Sequence, residues 1–170
     1  MHPALSLAKR KFDDLQTEFA KVIAIENEVV PVLGAMAAAS AETAKTALRA
    51  TGIEGVYTGI EGVLKEVLSV VDGGVFAAAE SWHGQLLAQA AAANDANGRP
   101  SIIAERTYRL LDELRAFRHI ERNVYRHLLR DREVDENFKK LCEVFPLFEV
   151  DVNSFMQDYG QHDPGQPKPT

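Results

Sequence analysis

A chain of 170 residues, 46% of them apolar, has room for one domain with a real core and is too hydrophobic to be disordered. A formal charge of −6 argues against nucleic-acid binding by the whole surface, and no apolar run approaches the roughly 18 residues that span a bilayer. The single Cys142 excludes an internal disulfide framework and a multi-cysteine metal site; in KKLCEVF it reads as a small buried apolar residue. The opening MHPALSLAKRKF turns charged too early for a secretory signal, so a cytoplasmic protein without a membrane segment is expected.

The apolar pattern is helical nearly everywhere. Leu5, Ala8, Phe12, Leu15, Phe19, Val22 and Ile23 recur at three and four, which predicts a first helix over about residues 4–29, stopped by Pro31 and Gly34. Ser40 can cap a second helix that runs to Val71 and ends at Gly73-Gly74. This helix contains Gly52, Gly55, Gly59 and Gly62, each costing about 1 kcal/mol against alanine, so either a break near Thr51-Gly52 or very close packing of a neighbour is expected. A third helix covers 77–94, anchored by Trp82, Leu86 and Leu87, and NDANGRP (94–100) is a loop by composition. Ser101 opens a fourth helix over 102–130 with Ile103, Leu110, Leu111, Leu114 and Phe117 inward. A fifth runs from Val134 towards Tyr159, where Pro146 should kink or split it. The prediction is an all-α protein, an antiparallel up-and-down bundle of about five helices, with residues 1–160 as one domain and 161–170 as a disordered tail.

Charge is concentrated on the fourth helix: eight of the eleven arginines lie between Arg106 and Arg132. Glu105, Arg109 and Glu113 form an i,i+4 ladder of alternating sign, the ordinary pattern of a solvated face. The following turns differ. Arg118, Arg122, Arg126 and Arg130 stack like charges at four-residue spacing, at a cost of about 1 kcal/mol in all. Glu121 can relieve Arg118 and Glu133 can relieve Arg130, whereas Arg122 and Arg126 have no such local partner. Acids on another helix, or water, meet them on the bland reading; a local anion site is the alternative.

Beside them run His119, Asn123 and His127. The two histidines are eight apart and no third ligand is evident, so a zinc clip is a poor fit. Cleavage of RNA by its own 2′-hydroxyl needs a general base and a cation on the developing phosphorane charge, which are tasks for imidazole and guanidinium and require no metal or other cofactor.

At these residues the sequence resembles the HepT-like branch of the HEPN superfamily. YTGIEGVL (57–64), SWHGQLL (81–87), RPSIIAE (99–105), LLDELRAFRHIERNVY (110–125) and FKKLCEVFP (138–146) look like family blocks in family order. The resemblance implies a HEPN-like helical bundle that forms a homodimer with its motif helices facing each other. It implies a metal-independent ribonuclease toxin, neutralised by a minimal nucleotidyltransferase antitoxin. The family motif is Arg-x4-His-x-Tyr. Arg118 matches the arginine, HIER fills the gap and Tyr125 matches the tyrosine, but Asn123 stands where the motif asks for histidine. An amide can orient a group and cannot serve as the base. A second register, Arg122-x4-His127, keeps the histidine and lacks the tyrosine, since Leu129 takes its place. The residues so implied are Arg118 and Asn123 with His119 or His127 for catalysis, Arg122 and Arg126 for RNA phosphate, and Tyr125 as the site of AMP attachment. His83 and Trp82 read first as a satisfied structural histidine and a core anchor, Tyr57 and Tyr108 as half-buried helix residues; His2 and His162 receive no role.

Overall fold

The computed structural model describes residues 3–73, 82–123 and 130–161, with residues 118–123 and 160–161 described by their backbone alone. After a short 3-10 turn, Pro3–Leu5, helix α1 (Ser6–Ala24) buries Ala8, Phe12, Leu15 and Val22. The helix expected to reach residue 29 changes pitch after Ala24, first to a π-helical turn, Ile25–Val29, then to a 3-10 stretch, Val30–Ala35. Pro31 has no N–H to offer the carbonyl of Asn27, so α-helical pairing cannot continue there.

Helix α2 (Ala38–Val71) is unbroken over 34 residues. Ser40 is not its cap. The carbonyl of Ala37 accepts from the N–H groups of Ser40 and Ala41 at 2.9 and 3.0 Å, and no side chain caps the end. Close packing is what the glycines serve. A Cβ on Gly52 would lie 2.9 Å from Val22, and one on Gly59 would lie 2.5 Å from Leu15, so α1 sits almost on the α2 backbone. The helix ends beyond Asp72 at Gly73, whose φ of +65° is the left-handed conformation that glycine adopts at little cost.

Helix α3 spans Trp82–Ala91; the earlier start expected at residue 77 lies outside the described residues. The fourth helix opens later than Ser101. Ile102 and Ile103 are buried, and both donate N–H bonds to the carbonyl of Ala90 before α4 (Glu105–Asn123) begins. Its first turn is capped from another helix: Asp151 Oδ2 accepts from the N–H of Ala104 at 2.9 Å and from the Thr107 hydroxyl at 2.6 Å. Helix α5 (Asp131–Gln161) starts three residues before the expected Val134 and is not split by Pro146. Leu141, Val144, Phe145, Phe148, Val152, Phe155 and Met156 continue one buried stripe across the proline, and this packing holds the helix on both sides of the lost hydrogen bond. Residues 162–170, most of the expected tail, lie outside the described residues.

The protein is an all-α bundle. Lys11 pairs with Glu66, Leu15 meets Gly59 and Val22 meets Gly52, so α1 and α2 run in opposite senses. Glu113 pairs with Lys140 and Thr107 with Asp151, so α4 and α5 do likewise. One core joins all five helices; within it Phe19 stacks on Phe145 with centroids 3.9 Å apart. Tyr57, expected to be half-buried, is 0% exposed because it falls on the Ile53–Ile60–Leu64 stripe, whereas Tyr108 is half-buried as its position suggests. Cys142 packs at the edge of the core and is partly buried, and burial pushes its thiol pKa up. Among the described residues no helix is long and apolar enough to cross a membrane.

Candidate functional site

Helix α4 is fixed along its length by Thr107, Leu111, Leu114 and Phe117, which are buried, and at its start by Asp151. Its outer face carries the expected ladder in part. Arg109 pairs with Glu105 at 2.9 Å, but Glu113 turns to Lys140 of α5 at 2.5 Å instead of to Arg109. Arg106 reaches Glu143. These pairs are exposed and account for the first charged turns without a ligand.

The backbone stays helical through Asn123. Arg118 and Arg122 therefore lie one turn apart on one face, and His119 and Asn123 lie one turn apart beside them. The face of Arg118 and Arg122 also carries Arg115, three residues before Arg118. Tyr125, Arg126 and His127 lie outside the described residues, so the second register is seen only at its arginine. Arg130 is exposed just ahead of α5, and Glu133 relieves it at 3.6 Å as its spacing suggests.

Where α2, α3 and α4 meet, the fold brings together side chains that the charged helix alone did not point to. Glu61 of α2 is 3% exposed, and its Oε1 lies 2.6 Å from His83 Nδ1 in the first turn of α3. An ionised carboxylate in that place accepts from an Nδ1–H. The His83 side chain is 23% exposed. The indole of Trp82 lies against the imidazole with centroids 3.9 Å apart, and Lys65 sits 5.6 Å above the indole. The guanidinium of Arg115 lies against Gly84, 3.8 Å from where a Cβ would stand. Asp112 holds Arg115 by a 2.7 Å bond from Nε, and that bond raises the arginine's pKa against the opposing effect of burial. Glu61 and His83 thus meet at one corner, with Lys65 over the neighbouring indole and Arg115 beside the next residue, Gly84, before α4 runs on to its motif residues. The signal in the sequence is Glu61 itself, a charged residue inside the apolar stripe of Tyr57, Ile60 and Leu64.

Among the described residues, no group of three His, Cys, Asp or Glu side chains could hold a metal ion. Neither the curated proteins nor the solved structures returned a match to this chain. A family model described as HepT-like protein matches residues 48–159, which takes in α2 from Leu48 onward, α3, α4 and nearly all of α5. That match covers well over half of the 170 residues, and the chain belongs to the HepT-like protein family.

Proposed function

We propose that this protein is the toxin component of a toxin–antitoxin system, a cytoplasmic endoribonuclease that cuts RNA without a metal or other cofactor. It works as a homodimer whose two α4 helices face each other across a groove. Arg118, Arg122 and Arg126 hold RNA phosphate and offset the charge of the phosphorane, and His119 or His127 supplies the base while Asn123 orients a group. A dimer suits this role because one helix face is a shallow site for a polynucleotide. The observation that carries the reading is the family match over residues 48–159, a span that includes Arg118 and Tyr125 at the family's motif spacing. The partner is a minimal nucleotidyltransferase, which would silence the toxin by attaching AMP to Tyr125.

One observation favours a second reading. Asn123 stands at the motif's histidine position, which fits a protein that keeps the arginine groove to bind RNA or its nucleotidyltransferase partner and no longer cleaves. Incubation of purified protein with RNA in EDTA separates the two. The ribonuclease reading expects cleavage to 2′,3′-cyclic phosphate ends by wild type and none by Arg118→Ala. RNA binding by wild type without cleavage selects the second reading. Sedimentation as a monomer at micromolar concentration speaks against the shared groove in either case.

A further inference from the structure

We propose that Glu54 of α2 pairs with Arg118, the motif arginine, across the contact between α2 and α4, and so positions its guanidinium. The catalytic consequence rests on the ribonuclease reading, whereas the pairing itself is measured without activity.

Three observations carry it. First, Arg118 falls on the line by which α4 packs. Thr107, Leu111 and Leu114 are buried, and Arg118 follows Leu111 by seven residues and Leu114 by four. The backbone is helical through Asn123, so an arginine stands where the buried stripe would continue. Arg106 and Glu113, which reach α5, lie to one side of that line, and Arg115, which reaches Gly84 of α3, lies to the other; the line between them faces α2. Second, the register of the two helices sets Glu54 opposite. Asp72, just past the end of α2, grips Arg99 ahead of α4, and Tyr57 lies within electrostatic reach of Arg115, so α2 and α4 run in opposite senses. Arg118 is three residues after Arg115 and Glu54 is three residues before Tyr57, two steps of about 4.5 Å in the same direction. Glu54 also shares a face of α2 with Glu61, seven residues on, which is buried against α3. Third, other charges at this contact are already engaged: Glu61 with His83, Arg115 with Asp112, and Lys65 over the Trp82 indole. Glu54 is half-buried, and a carboxylate so placed is stabilised by a cation.

The pair accounts for an arginine on a packing line, since a charge removed from water is tolerated there when it is matched. It also gives the motif arginine a fixed plane. Glu54 accepts from one edge of the guanidinium, and the remaining N–H groups are left for the non-bridging oxygens of a phosphate. Glu54 touches no RNA and moves no proton; it is a positioning residue, acting through Arg118 alone.

The test is a double-mutant cycle in urea unfolding of the full-length protein, with Glu54→Gln, Arg118→Gln and the two together. The unfolding constant of the double variant should differ from the product of the single effects by about threefold or more. The same cycle with Arg122→Gln in place of Arg118→Gln should be additive. If a variant fails to fold, the Arg118 Nε–H resonance of the wild-type protein decides, because a paired guanidinium exchanges that proton slowly with solvent. In cleavage of an RNA oligonucleotide in EDTA, Glu54→Gln should lower kcat by about 10-fold while KM holds, and Glu54→Asp, which keeps the charge, should lose less. Additive effects of Glu54 and Arg118, coupling that falls on Arg122 instead, or exchange of the Arg118 proton at the rate of an exposed arginine overturns the pairing and leaves the ribonuclease reading intact. A coupled pair with the wild-type kcat in Glu54→Gln overturns the positioning role. Absence of cleavage by wild type overturns that role together with the ribonuclease reading.

Discussion

Arg99 grips Asp72 with two bonds, Nε to Oδ1 at 2.8 Å and Nη2 to Oδ2 at 3.1 Å, and both side chains are almost sealed from solvent at 2% and 4% exposure. The pair closes the loop between α3 and α4 onto the end of α2. Arg99 also donates to the carbonyls of Gln89, Ala92 and Pro100, and Asp72 accepts from Gln89, Asn94 and Asn97, so neither charge is left short of partners. Arg99→Ala strands a buried carboxylate and should destabilise the protein by about 3–5 kcal/mol in urea unfolding.

The same pair sets an acid response. Burial disfavours the Asp72 carboxylate, but the bonds from Arg99, Gln89, Asn97 and Asn94 outweigh it and hold the carboxyl well below the usual range. A depressed folded value gives stability that is fully present above the unfolded value, about 3.9, and is lost as pH falls towards the folded one. Wild-type stability should therefore decline below about pH 4, and Asp72→Asn, less stable at neutral pH, should show a shallower decline there. Denaturant midpoints measured from pH 7 to pH 2 check this.

The four glycines of α2 should separate under substitution by alanine. A Cβ at Gly62 meets nothing within 4 Å and one at Gly55 only Glu18 Oε1 at 3.9 Å, so Gly62→Ala and Gly55→Ala should each stabilise by up to about 1 kcal/mol. A Cβ at Gly59 would come within 2.5 Å of the buried Leu15, and Gly59→Ala should lose about 1–3 kcal/mol through overpacking in spite of the better helix propensity. Melting curves of the three variants decide it, and a stabilised Gly59→Ala would show that α1 can shift away.

This contrast also marks what the sequence could and could not reveal. Glycine in a long helix posed the right alternatives, a break or a close neighbour, but the choice depends on where Val22 and Leu15 sit, some thirty to forty-five residues earlier in the chain. The buried stripes, Phe12–Leu15 or Leu141–Val144–Phe148, were legible because burial follows helical period. Partner identity does not. Asp151 capping α4, Arg49 between Glu26 and Asp135, and Glu61 under His83 each join residues from different helices, and no local spacing encodes them. The helix boundaries moved for the same reason: Ile102 and Ile103 fit a helical pattern, yet their N–H groups are taken by Ala90. At the site, the helical backbone was legible as far as Asn123, and His83, read as a satisfied structural histidine, is indeed bonded to the buried Glu61.

Tyr125 follows Arg118 by seven residues, about two helical turns if α4 continues, so the two would share a face. AMP on that tyrosine would put a phosphate beside the arginines that hold RNA and pair with them in its place. A cognate nucleotidyltransferase with ATP should add the mass of one AMP to wild type and none to Tyr125→Phe, and the modified protein should bind RNA more weakly. An adduct that persists on Tyr125→Phe takes this role from the tyrosine.

Asn123 gives the most direct test of the motif register. It lies five residues after Arg118 in the last turn of α4, where the backbone is still helical, so a histidine placed there would stand at the family motif's spacing from the arginine. Asn123→His should raise the cleavage rate by about 10²-fold, the ordinary worth of a positioned acid–base group. His127→Ala in the wild-type background separates the two candidate bases: retained activity leaves the base with His119. If instead His127→Ala is inactive and Asn123→His is no faster than wild type, the base belongs to the Arg122-x4-His127 register, and the groove works one helical turn beyond Arg118.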